Sequence, residues 1–146
     1  MELTSSFFSG GGKIPRVCGY KNGNKEPTLA VSGLPNEAES LALIMDDPDA
    51  MGAVGKVWVH WVVWNFTWFA DGKPHWDRPT KQGMTDFGEV GYGGPAPPDK
   101  RHTYVFKLYA LDCKLDLPDK STKADVEKAM EGHIVDLATL TGTYAP

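Results

Sequence analysis

Two carboxylates separated by a proline, Asp47-Pro48-Asp49, are the sharpest chemical feature of the sequence. Proline fixes its own φ and pushes the preceding residue toward extended backbone, so both acids sit on a stiff turn. Such stiffness suits a binding site, although either carboxylate could instead only satisfy turn backbone, a common use of Asp. His60 lies inside the apolar run Val57-Trp-Val-His-Trp-Val-Val-Trp-Asn-Phe66. Burial beside Trp58, Trp61 and Trp64 disfavours an imidazolium unless a carboxylate or bound anion compensates, and Asp47 or Asp49 is the candidate partner. His102 and Tyr104 follow the segment Gly91-Tyr-Gly-Gly-Pro-Ala-Pro-Pro98, and at a spacing of two on an extended chain they point the same way. Both can donate hydrogen bonds to an anion. Gly94 and Pro95 belong to the loop that feeds them. Glycines let backbone N–H groups approach a ligand, and a concavity of such groups holds an anion without formal charge. Neither this loop nor Gly10-Gly-Gly-Lys13 matches the GxxxxGK[ST] phosphate loop.

The elements that must position these residues are short and punctuated by 16 Gly and 11 Pro, a composition of many turns and hence many short strands. Leu41-Ala-Leu-Ile-Met45 reads as a buried strand that delivers the acidic turn. Val57 to Phe66 reads as a central strand, and a period of two places Trp58, His60, Val62 and Trp64 on one face and Val59, Trp61 and Val63 on the other. From Thr103 to Leu111 the same period aligns His102, Tyr104, Phe106, Leu108 and Ala110. One helix is expected from about Thr122 to Val135, with Thr122 as N-cap, Asp125 in the first turn, and Val126, Met130 and Ile134 at helical spacing. Gly132 weakens its last turn, and Leu137 to Tyr144 is either a final strand or an extended tail. A wound α/β sheet needs helices between its strands, which are lacking here; a mainly β sandwich of antiparallel sheets with one or two short helices is expected. At 146 residues the chain suits one domain, 1–146, that buries roughly two thirds of its unfolded surface.

The net charge of -4, with signs interspersed, leaves no basic stripe for a nucleic acid. The apolar runs are too short to span a bilayer, and Met1 to Ser9 lacks the regions of a signal peptide, so a cytoplasmic protein without stable membrane insertion is expected. Cys18 and Cys113 lack a CxxC spacing and read as structural thiols, with a disulfide left open. No close-spaced pair such as HxxxH marks a metal site, no cofactor motif is present, and His75 and His133 read as surface residues.

In combination, these segments resemble the phosphatidylethanolamine-binding proteins, which include the Raf kinase inhibitor proteins and bacterial and archaeal relatives. The likeness rests on Ile14-Pro15 and Cys18, Ser40-Leu-Ala-Leu-Ile-Met-Asp-Asp-Pro-Asp-Ala50, His60-Trp-Val-Val-Trp-Asn65, Gly91-Tyr-Gly-Gly-Pro95 with His102, and Gly142-Thr-Tyr144. It implies an antiparallel β-sandwich with a small pocket for phosphate, acetate or a similar anion. Carried across by position, Asp47 and Asp49 match the paired acids of the turn, His60 the pocket histidine and Trp58 an aromatic residue at its mouth. Gly94 and Pro95 match the loop facing the anion, and His102 and Tyr104 the second histidine and the tyrosine of its strand. Two departures, Met51 in place of proline and Thr103 in place of arginine, alter the rim and its charge.

The expectation is therefore a non-enzymatic binding or regulatory protein whose ligand set is Asp47, Pro48, Asp49, Trp58, His60, Gly94, Pro95, His102 and Tyr104. Its partners would be a small anion or phosphorylated head group, with a kinase or serine protease as a protein partner, and its state monomer or homodimer. The alternative is inhibition of a serine protease through a surface loop, for which Phe69 to Phe87 is the candidate. Catalysis is disfavoured because no Ser or Cys nucleophile lies in a recognisable elbow.

Overall fold

β-branched and aromatic residues dominate the long apolar runs, and these become neighbouring strands in the computed structural model, which describes residues 1–68, 74–75 and 81–146. In chain order the strands are β1 (Glu2–Thr4), β2 (Ala30–Ser32), β3 (Ser40–Asp47), β4 (Trp58–Trp68), β5 (Pro74–His75), β6 (Lys81–Gln82), β7 (His102–Leu111) and β8 (Ile134–Tyr144). The helices are α1 (Ala50–Val54) and α2 (Lys123–Met130), with a 3₁₀ turn at Arg16–Cys18. β1 and β2 make a small antiparallel sheet. The larger sheet runs β5-β4-β3-β7-β8, also antiparallel, with β6 pairing β4. The expected mainly β architecture of antiparallel sheets with two short helices is the observed one.

β3 is the middle of the molecule. All of its residues are buried, because long strands flank it on both sides and both faces are covered. Its pleat sends Leu41, Leu43 and Met45 into a cluster with Leu3 and Val31 of the small sheet, and Ala42 and Ile44 into a second cluster with Val126 and Met130 of α2. β4 is less central than its composition suggests, since among the described residues only the short β5 and β6 cover its outer edge.

The simple alternation expected along β4 fails at two places. Leu41 pairs with Phe66 but Ala42 with Trp64, and Met45 pairs with Trp61 but Asp46 with Val59, so Asn65 and His60 are extra residues in β4. Each bulge restarts the alternation. Trp61 and Val63 therefore join the cluster under the small sheet, while Val62 and Trp64 face α2. His60 thus parts company with Val62 and Trp64, the face that a period of two assigns to it.

The expected helix is cut short. Thr122 and Asp125 form a reciprocal capping box at its start, as their types suggest, but α2 stops at Met130. Gly132 takes φ +79°, and Ile134 and Val135 open β8, which pairs along the whole of β7. The open question about Leu137 to Tyr144 resolves as strand. Cys18 and Cys113 are both free thiols. The candidate inhibitory loop Phe69 to Phe87 falls in part on 69–73 and 76–80, outside the described residues.

Asn65 holds φ 59° and exchanges two hydrogen bonds with the Leu115 backbone, its Nδ2 donating to the carbonyl at 2.8 Å and its Oδ1 accepting from the amide at 2.7 Å. Asn65→Ala leaves both buried groups unpaired and strains the left-handed backbone, an expected cost of about 2–4 kcal/mol. Asn65→Gly relieves the strain alone and should recover about 1 kcal/mol of that. Urea denaturation midpoints for the two variants check this order, and equal midpoints would remove the role assigned to the bulge.

Candidate functional site

The pleat of β3 turns its last two acids to opposite faces. Asp46 faces the α2 side, where Lys123 Nζ donates to its Oδ2 at 2.7 Å and Lys107 Nζ stands 3.9 Å away. Asp47 faces the other side and does two jobs. Its Oδ1 accepts the Asp49 amide at 3.0 Å, which sets the turn, and its Oδ2 meets His102 Nδ1 at 2.6 Å. The other ring nitrogen of His102, Nε2, meets Asp99 Oδ1 at 2.6 Å.

A carboxylate on each ring nitrogen requires both nitrogens to donate, which makes His102 an imidazolium. Burial works against that charge, but the hydrogen bonds to Asp47 and Asp99 outweigh it and raise the His102 pKa above the ordinary value. Desolvation pushes Asp99 upward, and the bonds from His102 and from the Lys100 backbone more than reverse this, so its carboxyl is held low. His102 itself is fully buried.

His60 is in the opposite state. Its Nδ1 lies 2.6 Å from the Gly93 carbonyl, which can only accept, so Nδ1 carries the proton and Nε2 is a lone pair while the ring is neutral. The Gly93 amide returns a hydrogen bond to the His60 carbonyl at 2.8 Å, tying the bulge to the glycine loop. Burial lowers the His60 pKa, with the Gly93 bond and the Asp47 charge offsetting only part of the effect. The ring stands edge-on to Tyr104, 5.1 Å between centroids, and to Phe87, 5.4 Å.

These groups share the wall of one cavity of about 350 Å³. Asp47, His60, His102 and Tyr104, with the exposed Lys21, supply its polar part, and Trp58, Tyr20, Phe87, Val54 and Pro98 much of its apolar part. Tyr104 is fully buried; among the described residues its hydroxyl makes no well-aligned hydrogen bond, and the Asp47 carboxylate and the Ala96 backbone are its polar neighbours. Burial, then the nearby Asp47 charge, pushes its pKa far up, so the hydroxyl keeps its proton and is a donor.

Of the residues expected at the site, Asp47, Trp58, His60, His102 and Tyr104 come together, while Pro48, Asp49, Gly94 and Pro95 do not line this cavity. Asp49 Oδ2 accepts the Thr103 amide at 2.8 Å, clamping the acidic turn to the start of β7, and Pro48 and Asp49 face solvent. The expected acid partner of His60 is therefore the partner of His102. The Gly94 amide donates to Asn24 Oδ1 at 2.7 Å and is unavailable to an anion. Glycine is needed there because a methyl group would collide with the Cys18 carbonyl oxygen. Pro95 has no N–H, and its carbonyl accepts the Tyr20 amide at 2.9 Å. The cavity wall from this loop is instead Ala96 and Pro98.

Sequence reasoning also missed Asp99, Phe87 and Tyr20. Asp99 could have been found from its place three residues before His102. Phe87 arrives because Asp86 Oδ2 accepts the Val59 amide at 2.7 Å and the Asp86 amide donates to the Val59 carbonyl at 3.0 Å, and it then stacks on Tyr20 at 3.9 Å and 4°. No local pattern announces such long-range pairing.

The fold and site define an antiparallel β protein with a buried imidazolium on the wall of a small, mostly apolar cavity. Comparison with known proteins is consistent with that architecture. The family model described as phosphatidylethanolamine-binding protein matches residues 4–145, and the chain belongs to this family. A UPF0098 protein of Methanothermobacter thermautotrophicus is 44% identical over 99% of this chain and 98% of its own length. Among solved structures, a phosphatidylethanolamine-binding protein homologue from Chlamydia trachomatis superposes with TM-score 0.87 at 38% identity, covering 98% of this chain and 95% of its own. E. coli YbcL, described as a member of the mammalian PEBP family, superposes with TM-score 0.85 at 30% identity, covering 98% and 96%.

The titration of the clamp has a defined sign. His102 holds its proton more tightly when folded, so its contribution to stability is complete below about pH 6.5, the unfolded value, and is lost as pH rises through the raised folded pKa. Asp99→Asn weakens the hold on that proton, so the alkaline loss should begin at lower pH than in the wild type. Denaturant midpoints measured across neutral and alkaline pH should differ most near neutrality and converge where His102 is neutral in both proteins; a constant difference would mean the clamp carries no charge.

Proposed function

We propose that this protein is a binding protein whose cavity takes a small, protonated oxyanion, the phosphate of a head group or of a phosphorylated partner. The observation that carries this reading is the buried Tyr104 hydroxyl, a donor that makes no well-aligned hydrogen bond among the described residues, on the wall of a cavity that also holds His60 and His102. A buried donor left unpaired costs about 1–3 kcal/mol, which a ligand oxygen would offset.

The charges narrow the ligand further. Asp47 and Asp99 carry two negative charges against the single positive charge of His102, so a dianion meets net repulsion from this group, against which stands only the solvent-screened attraction of the exposed Lys21 among the described residues of the wall. A phosphate that retains a proton carries less charge and can donate that O–H to His60 Nε2 or to Asp47. It can accept from Tyr104 at the same time. As pH falls, His60 gains its proton and becomes a donor, and binding an anion raises its depressed pKa; both effects strengthen binding on the acid side. Protease inhibition through Phe69 to Phe87 falls largely on residues outside the described structure.

Titration calorimetry tests the reading. Inorganic phosphate should bind more tightly as pH falls from 8 toward 5.5, by up to about tenfold per pH unit where one proton is taken up. Sulfate, which has no proton to donate at these values, should bind more weakly than phosphate. Tyr104→Phe removes no well-aligned internal hydrogen bond, so it should shift the unfolding midpoint little while weakening phosphate binding about tenfold. Equal phosphate binding by wild type and Tyr104→Phe would overturn the assignment.

A further inference from the structure

At the far end of β7 from His102, a second group of side chains converges. Asp112 and Cys113 directly follow the strand, and His133 lies in the turn between α2 and β8. One ligand atom from each lies within 4.8 Å of the others, and His133 Nδ1 is 2.8 Å from Asp112 Oδ1. We propose that Asp112, Cys113 and His133 form a binding site for a divalent transition-metal ion of the zinc class.

The donor set supports that class. A thiolate, an imidazole and a carboxylate together suit zinc, cobalt or nickel, whereas magnesium and calcium take oxygen ligands. Zinc binds such atoms at about 2.0–2.3 Å, which puts them roughly 3.4 Å apart in a tetrahedral site. The present spacings, from 2.8 Å between His133 and Asp112 to at most 4.8 Å, bracket that value. Three protein ligands leave a fourth position for water or an outside ligand.

The backbone carrying the ligands is already fixed. The Asp112 amide donates to the His133 carbonyl at 3.0 Å, and the His133 amide to the Met130 carbonyl at 2.9 Å. The Cys113 carbonyl accepts the hydroxyl of Ser40, a fully buried residue, at 2.6 Å. Gly132, at φ +79°, makes the reversal that faces His133 toward the strand end. A site held this way needs little ordering when an ion arrives. Asp112 and His133 side chains are 45% and 46% exposed, so an ion from solvent can reach them.

Binding has a simple proton balance. The Cys113 thiol releases its proton to solvent and forms the metal–sulfur bond, and His133 ligates through the Nδ1 lone pair with its remaining ring proton on Nε2. Asp112 exchanges its hydrogen bond to His133 for a bond to the ion. The ion would staple the end of β7 to the α2–β8 turn, two segments about twenty positions apart, which is why no spaced motif marks the site in the sequence. Since β7 spans ten residues, the site lies about 30 Å from the His102 end and is independent of the cavity.

The test uses the metal-depleted, reduced full chain titrated with cobalt(II) and followed by absorbance. The expected result is one equivalent bound, a thiolate-to-cobalt charge-transfer band, and loss of that band when zinc is added. Cys113→Ser should abolish the band, and His133→Ala should weaken cobalt binding by more than about tenfold, since even outer partners of metal ligands are worth about 10–100-fold. Both variants should keep the circular dichroism and phosphate affinity of the wild type, because neither residue lines the cavity. No thiolate band at up to about 1 mM cobalt, an affinity too weak for a built site, would overturn the proposal. So would a band that survives Cys113→Ser, which would have to come from Cys18.

Discussion

A charge buried in a protein must be paired, because its solvation is lost and an unpartnered ion is far costlier than an unpartnered dipole. His102 is such a charge, and its two carboxylates come from different parts of the chain. Asp47 ends the central strand and Asp99 ends the proline-rich loop. Meeting that one requirement brings the end of β3, the loop and the start of β7 into a fixed relation, and the Asp49 bond to the Thr103 amide repeats the tie alongside. The cavity is bounded by these segments. Its polar wall is thus a consequence of how a buried imidazolium is accommodated.

The second constraint is the extra residue in β4. With unbroken pairing, His60 would share a face with Val62 and Trp64, which pack toward α2. The bulge lets His60 and Trp61 sit together opposite Met45 and lets the ring reach Tyr104. The mutual hydrogen bonds between His60 and Gly93 then hold the bulge open and fix the tautomer. The two histidines of the site consequently differ in state: one is charged and clamped, the other is neutral with a lone pair available.

Much of this was legible in the sequence and the rest had physical reasons to be hidden. The apolar runs, their lengths and their β-branched and aromatic composition indicated the three long strands, and the helix cap at Thr122 was readable from residue types alone. The gathering of Asp47, His60, His102 and Tyr104 followed from strand ends together with the family likeness. Periodicity could not reveal the bulges, because an inserted residue is a property of pairing between strands, and Asn65 and His60 look ordinary within β4. The helix end was missed because Ile134 fits a helical spacing and the left-handed turn at Gly132 decides otherwise. Glycines in a loop suggest amides free for a ligand, but Gly93 and Gly94 use theirs on His60 and Asn24. Glycine there serves close packing against Cys18 and Phe87.

The chemistry of the cavity turns on the difference between the two imidazoles, and their nitrogens can be observed directly. A pH titration of the ¹⁵N-labelled histidine side chains by NMR, with and without saturating phosphate, reads the protonation and tautomer of each ring. His102 should be an imidazolium at neutral pH in both samples. His60 should be the Nδ1–H tautomer with a pKa below about 6.5 in the free protein, and should titrate at higher pH once phosphate is bound. A neutral His102 at pH 7, or a His60 titration indifferent to phosphate, would contradict that chemistry.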